Sequence, residues 1–240
     1  MATDPERELF ASKVLSAIGR QAERLASSEI TGFLAMAGHA YDHDLMVVGR
    51  AVNGWTEGIA PGQLSTGAEA DRYARLVQES VRGNGACPMR WVTDGWGAGQ
   101  GYNTKRSAFW RSIRSVVQGL GIADVQAPDW PSHLVWSNLY KVSPAGGGNP
   151  SNVLCDIQFS GCAELLNLEF RTYRPSRVLF LTGADWVAPF LSTCELKEGA
   201  QFHYVERVAF CDNTHYVIAA HPQGKPEEVW ASEVLTAFYR

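Results

Sequence analysis

The sequence predicts an α/β fold, a three-layer α/β/α sandwich around a central, mostly parallel four-stranded sheet with room for an added antiparallel strand. Three observations lead there. Short apolar runs rich in β-branched residues recur along the chain, as in Leu45-Met46-Val47-Val48 and Arg177-Val178-Leu179-Phe180-Leu181. Segments of helical apolar spacing separate these runs. Hydrophobic residues make up 45% of the 240 positions and charged residues 19%, which gives enough apolar surface for one sizeable core and argues against global disorder.

Asp4-Pro5 has the chemistry of a helix start, with an oxygen-bearing cap and then a proline in the first turn. Leu9, Phe10, Val14, Ile18 and Leu25 then keep to one face, so a first helix is expected over 4–26. The run 45–48, ended by Gly49, reads as a strand buried on both faces. Thr66 and Glu69 have capping-box spacing, and Tyr73, Leu76, Val77 and Val81 behind them predict a second helix that stops before Gly83-Asn84-Gly85. From Gly83 to Thr104 the chain carries six glycines but also Trp91, Trp96 and Tyr102, which suits an ordered functional loop better than a linker.

Ser107 is placed to cap a helix in which Phe109, Trp110, Ile113, Val116, Val117 and Leu120 recur at helical spacing, with Gly119 and Gly121 near its end. His133-Leu134-Val135-Trp136-Ser137-Asn138 is the second strand, and the glycine-rich stretch at 145–150 is a loop. Helical spacing then runs to Arg174, the third strand follows at 177–183, and two strands at 202–210 and 215–220 are joined by Asp212-Asn213. A last helix starts near Pro226. A single domain over 1–240 is expected, with its core over 45–240.

Composition excludes several functions. With 25 acidic against 21 basic residues the net charge is −4, so any nucleic-acid binding must be local rather than driven by a general polycation. The start, Met1-Ala2-Thr3-Asp4-Pro5-Glu6-Arg7-Glu8, is acidic where a secretory signal is basic and then apolar. No apolar run approaches the ~18–20 residues that span a bilayer. Cys87, Cys155, Cys162, Cys194 and Cys211 contain no Cys-x-x-Cys pair, which suits a reduced compartment. A cytoplasmic monomer without a membrane partner is the expectation.

In open α/β sheets ligands collect outside the carboxyl ends of the strands. Here those ends supply Gly49-Arg50-Ala51-Val52-Asn53-Gly54, then Ser137-Asn138-Leu139-Tyr140-Lys141, then Thr182-Gly183-Ala184-Asp185, and lastly Ala220-His221-Pro222-Gln223-Gly224. The Asn138 amide offers a donor beside an acceptor, and a neutral His221 donates one proton. Such groups suit uracil, whose edge presents N3–H between two carbonyls.

At these positions the sequence resembles the uracil-DNA glycosylase superfamily, more its mismatch-specific and single-strand-selective branches than its most abundant one. Val47-Val48-Gly49 with an Asn-bearing loop is similar to the first motif, where members hold the attacking water. Phe109-Trp110-Arg111 is similar to a helix-opening segment whose Phe stacks on the flipped base. Asn138 closes its strand as the family's base-reading Asn does. Leu179-Phe180-Leu181-Thr182-Gly183 resembles the structural third strand. His221-Pro222 resembles the start of the second catalytic motif, in which His contacts the base and the next loop enters the minor groove. Together these cover about residues 45–225.

The resemblance implies a DNA glycosylase that hydrolyses the N-glycosidic bond of uracil or a related damaged base. It implies catalytic roles for Asn53 and His221, and base contacts from Gly49, Arg50, Phe109 and Asn138. DNA contacts are implied for Lys105, Arg106, Gln223 and Lys225. Two departures stand out. Members carry Asp or Asn two residues after the first motif's glycine, where this chain has Ala51, and Gln223-Gly224-Lys225 replaces the usual small residue of the second motif. No group of four cysteines precedes the first strand, so no iron–sulfur cluster, and no other cofactor or metal, is expected.

Each residue also has a plainer reading. Asn138 is equally a strand-end amide that satisfies loop backbone, Asn53 an Asx-turn beside Gly54, and His221 a packed loop residue. Phe109 sits on an apolar helical face where core packing is the default. Lys105, Arg106, Arg111 and Arg114 form the densest basic patch, either a solvated face or a phosphate clamp. His39 and His43 have i, i+4 spacing, but the neighbouring Gly38, Asp42 and Asp44 favour a solvated turn over a metal site. A base-binding protein of the same fold without turnover is the alternative that Ala51 favours. No Gly-x-Ser-x-Gly elbow supports an α/β hydrolase.

Overall fold

The computed structural model describes residues 2–25, 28–82, 87–191, 194–199 and 201–240. Its strands are β1 (Ile30–Gly32), β2 (Met36–Ala37), β3 (Leu45–Ala51), β4 (Leu134–Tyr140), β5 (Val142–Pro144), β6 (Arg177–Phe180), β7 (Lys197–Glu198), β8 (Val205–Cys211) and β9 (Thr214–Ala219). Seven of them form one sheet in the order β2-β4-β3-β6-β9-β8-β7, while β1 pairs with β5 apart from it. The protein is therefore of mixed α/β class with a mostly parallel central sheet, compatible with a three-layer sandwich. The four strands expected from sequence are the adjacent members β4, β3, β6 and β9. The added antiparallel strand is β8, and the two-residue β2 and β7 extend the sheet at its ends.

The helices are α1 (Asp4–Leu9), α2 (Ser16–Arg20), α3 (Gly67–Arg82), α4 (Arg90–Asp94), α5 (Ala108–Leu120), α6 (Asn152–Tyr173), α7 (Ala184–Val187) and α8 (Glu227–Phe238). Contacts divide the chain into two compact units. One comprises Met1–Met36, Gly49–Gly83 and Ser137–Tyr173, and the other Ala37–Val48, Asn84–Trp136 and Arg174–Arg240.

In the first unit Thr3, not Asp4, caps α1: its side chain accepts from the Glu6 N–H at 3.4 Å, and the Glu6 carboxylate accepts from the Thr3 N–H. Asp4 instead lies in the first turn, where its negative charge is favourable at the positive end of the helix dipole. The first helix is not one uniform α-helix to residue 26. A π segment, Phe10–Leu15, separates α1 from α2, and Ser16 Oγ donates back to the Ala11 carbonyl at 2.8 Å, five residues earlier. Ala26 and the Gly83-Asn84-Gly85 stop of the second helix lie outside the described residues. The cap of α3 is as expected, with Glu69 N–H donating to Thr66 Oγ1 at 3.3 Å and Thr66 N–H to Glu69 Oε2 at 3.0 Å. On α6, Gly161 lets the helix approach the π segment: a Cβ there would stand 2.8 Å from Val14 Cγ2 and 3.0 Å from the Lys13 carbonyl carbon.

In the second unit β3, β6 and β9 run parallel in register, with Val48 beside Phe180 and Phe180 beside Ile218. Leu45 to Val48, Val178 to Phe180 and Val217 to Ala219 have no exposed surface, which is why these strands read as unbroken apolar runs. β6 stops at Phe180, short of the expected 183, because Gly183 (φ +83°) turns the chain into α7. β8 and β9 form an antiparallel hairpin through Asp212 and Asn213, both in the left-handed region at φ +51° and +66°. Ser107 caps α5 through the Trp110 N–H at 3.5 Å, and Gly121 ends it at φ +68°.

Candidate functional site

Within the first unit, β3 delivers Gly49 (buried) and Arg50 (half-buried), and Asn53 follows in the exposed turn at Gly54, φ +73°. Asn53 Oδ1 accepts the Gly148 N–H at 2.7 Å, so this carbonyl ties the 145–150 loop to the turn. The Asx-turn expected beside Gly54 is not formed, since the Trp55 N–H donates to Thr31 Oγ1 at 3.2 Å; the Asn53 acceptor is committed to the backbone of the distant loop instead. Nearby, Ser143 Oγ donates to the Val52 carbonyl at 2.6 Å and fixes the chain just before it.

Asn138 is different. It lies inside β4 rather than at its close, since the strand continues to Tyr140, and it is only 2% exposed. Its Nδ2 is buried without a hydrogen-bond partner. Buried polar atoms are nearly always satisfied, so an orphaned amide donor in a strand is a feature that a carbonyl-bearing ligand would complete.

Ser137 and Lys141, which the sequence places among groups open at a sheet edge, are instead wholly buried. The reason is Glu169 on α6, a carboxylate within an otherwise apolar buried stripe of Cys162, Leu165, Leu166 and Tyr173. Lys141 Nζ lies 2.6 Å from Glu169 Oε1 and 2.6 Å from Ser137 Oγ, and Ser137 Oγ donates to Glu169 Oε2 at 2.7 Å. Nothing in the sequence pointed directly to this ring, because α6 also carries Asp156, Glu164 and Arg171 and Lys141 stands between β4 and β5.

No thiol in this unit has the character of a nucleophile. Burial pushes the Cys162 thiol up to about 12 and raises that of Cys155 as well. Burial likewise raises the Tyr140 phenol, with Cys155 adding to the effect.

Within the second unit, β9 ends at Ala219 and the Trp230 indole N–H fastens the Ala220 carbonyl at 2.8 Å. Half-buried His221 follows. Its Nδ1 accepts the Gln223 N–H at 3.3 Å in a turn closed by Lys225 N–H to the Pro222 carbonyl at 3.0 Å. A ring whose Nδ1 accepts carries the proton of its neutral form on Nε2, which makes that atom a donor. Gln223 and Lys225 are exposed on the same turn.

Phe109, half-buried at the start of α5, sits against Trp110 at 5.3 Å between ring centroids and 6.4 Å from Trp136. Trp91 adds a further ring, 5.3 Å from Trp110 and 5.6 Å from Trp136. Sequence reasoning missed Trp136 as a partner of Phe109, and Trp91 as a partner of Trp110 and Trp136, because rings from α4, α5 and β4 meet only in the fold. The loop is itself knit together: Asn103 Oδ1 accepts the Gly97 and Lys105 N–H groups, and Thr104 Oγ1 donates to the Val92 carbonyl at 2.6 Å.

The basic patch divides by environment. Lys105 and Arg106 are exposed. Arg111 pairs with Glu227 at 2.7 Å, and Arg114 donates to the Val125 carbonyl and lies over the Trp96 ring at 5.0 Å. His39 and His43 are both exposed. Among the described residues no group of three or more His, Cys, Asp or Glu is placed to hold a metal ion. No described helix is long and apolar enough to cross a membrane.

The expected residues thus fall into two groups: Gly49, Arg50, Asn53 and Asn138 in the first unit, and Lys105, Arg106, Phe109, His221, Gln223 and Lys225 in the second. Chemically the first group offers a buried amide with a donor to give. The second offers an imidazole of defined tautomer, a half-open aromatic surface and exposed cations. No family model matches this chain, and no curated protein matches it.

Proposed function

We propose that this protein is a DNA glycosylase of the uracil-DNA glycosylase superfamily, acting on uracil or a related deaminated or damaged base. The observation that carries the reading is the buried Asn138 amide whose Nδ2 has no partner. A flipped uracil supplies what this amide lacks: its O4 accepts from Nδ2 while its N3–H donates to Oδ1. Cytosine has no N3–H and presents an amino group in place of O4, so it would leave buried groups mispaired at roughly 1–3 kcal/mol each.

Extracting the nucleotide costs a few kcal/mol, least for mismatched or single-stranded bases, so selection would begin at extrusion. In the second unit Phe109, stiffened by Trp110, offers an aromatic surface of the kind on which a planar base stacks. As the glycosidic bond stretches, negative charge grows on the departing base. Also in the second unit, the His221 tautomer set by Gln223 is one that can donate from Nε2 to a base carbonyl, a bond that strengthens as negative charge grows. Lys105, Arg106 and Lys225 are the exposed cations for phosphate, and Gln223 a further polar contact.

A second reading, a base-binding protein with little or no turnover, is favoured by one observation. The Asn53 acceptor that would orient water is engaged by Gly148, and the position where the family carries Asp or Asn is Ala51. One experiment separates the two. A uracil-containing oligonucleotide is incubated with the protein and treated with hot alkali; the glycosylase reading expects strand scission at the uracil. Retained binding without an abasic product refutes turnover and selects the second reading, and absence of both refutes the first and the second alike.

A further inference from the structure

Lys141 and Glu169 form an ion pair with no exposed surface at all. Removing two charges from water costs more than burying an apolar pair of equal volume, so net stability is a poor reason for its presence; fixing a unique arrangement is a better one. Ser137 closes the pair into a ring of three, each contact between 2.6 and 2.7 Å. Ser137 and Lys141 are four residues apart and meet the same carboxylate, so they share one face of the extended chain, and Asn138 falls on the other.

The same face of α6 grips the next residues. Gln158 Oε1 accepts the Val142 N–H at 2.9 Å and its Nε2 donates to the Val142 carbonyl at 2.9 Å. The Lys141 N–H donates to Cys162 Sγ at 3.4 Å. Residues 137–142 are therefore held by side chains of one helix at both ends of the segment that carries Asn138. A slip of β4 by one residue would turn Asn138 toward Glu169 and expel Lys141 from its partners, since every side chain of a strand changes face on such a slip.

We infer that the Ser137–Lys141–Glu169 ring is a register clamp that positions the Asn138 amide for base reading. Lys141 and Glu169 are positioning residues: they act through β4 and touch no base. The inference rests on the reading of Asn138 as the base-recognising group.

The test uses the full chain with Lys141 changed to Met and Glu169 to Leu together, which removes both charges and keeps apolar volume. Ser137→Ala, which leaves the ion pair intact, serves as the second variant should the paired one not fold. Two quantities are read: kcat/KM for uracil against cytosine in oligonucleotides, and the side-chain amide resonances of Asn138 beside those of Asn152 and Asn167. The clamp predicts a loss of uracil selectivity of about ten- to a hundredfold, the scale of a small misplacement, carried by kcat. It further predicts no added loss in an Asn138→Ala background, and shifted or broadened resonances for Asn138 alone. A folded variant with intact selectivity, or with an unperturbed Asn138 amide, overturns the inference. If the native protein excises nothing, the glycosylase reading fails on its own and the Asn138 resonances alone decide the clamp.

Discussion

Replacing Asn138 by Leu should not weaken the fold, although the residue is buried in a central strand. Leu has the same count of side-chain heavy atoms as Asn, branched at Cγ, but a larger and non-planar end. Asn138→Val, which adds less volume, is therefore measured beside it as the control for overpacking. Leaving Nδ2 buried without a partner costs the native fold about 1–3 kcal/mol, which the substitution returns. Against that, any bond accepted by Oδ1 is lost, at about 0.5–1.5 kcal/mol. The net change, apart from overpacking, is between about −0.5 and +2.5 kcal/mol, and for a chain of this size each kcal/mol moves Tm by about 2–4 °C. Urea denaturation followed by tryptophan fluorescence, with calorimetry alongside, reads both the midpoint and its slope. On the proposed reading the same variant should lose uracil recognition, so that stability and function would move in opposite directions. A loss above about 1 kcal/mol with an unchanged slope would show that the native amide donor is already engaged, and the argument from its unmet valence would fail.

Glu6 is buried beside Tyr173, whose hydroxyl donates to it at 3.1 Å, and burial followed by repulsion from Glu169 raises its pKa. A carboxyl held protonated to higher pH in the folded chain contributes stability fully below its unfolded pKa and loses it as pH rises through the folded value. Glu6→Gln, which can keep the capping contact, should therefore leave stability at pH 4 unchanged and raise it at pH 8 by about 1 kcal/mol; equal Tm shifts at both pH values would refute the assignment. Gly161→Ala should lower stability by about 1–3 kcal/mol, reversing the usual helix preference, because its Cβ would press on Val14 and Lys13. A gain in urea midpoint would refute that close approach. His221→Ala should leave Tm within about 1 °C while lowering kcat of uracil excision about 10²–10³-fold, the scale of one lost transition-state donor. Undiminished kcat would remove His221 from the reaction.

Elements set by local chemistry were legible in the sequence. Thr66 with Glu69, Ser107 before its helix and Asp212-Asn213 between two apolar runs each act through their immediate neighbours, and each holds in the structure. Misreadings arose where a nearby alternative competed. Thr3 outdid Asp4 as the cap because Glu6 stands three residues beyond Thr3 and completes the reciprocal pair. The π segment has no composition that separates it from a plain helix; it appears in the Ser16 backbone N–H, which donates to the Ala11 carbonyl five residues earlier. The short strands β1, β2, β5 and β7 have two or three residues each, too few for any period to register. Lys141 was misplaced for a physical reason: a lysine next to a loop is normally solvated, and only Glu169, 28 residues further on, makes its burial possible.

The two asparagines show what sequence reasoning lacked. Asn53 and Asn138 were proposed by the same logic, as amides on residues leaving or closing a strand, and they differ only in whether the fold satisfies them. Asn53 is exposed and its acceptor is taken by Gly148, so orienting a water through Oδ1 requires that bond to be given up or shared, at a cost of about 0.5–1.5 kcal/mol. Asn138 has already been desolvated, and its donor gains a partner only when a carbonyl arrives. On the proposed reading, base recognition by Asn138 breaks no bond of the resting structure, while water activation by Asn53 works against a bond already made. It follows that uracil binding should tolerate Asn53→Ala, and that turnover should be slow even in the native chain. If Asn53→Ala abolished binding as fully as Asn138→Ala does, the division of labour between the two amides would be wrong.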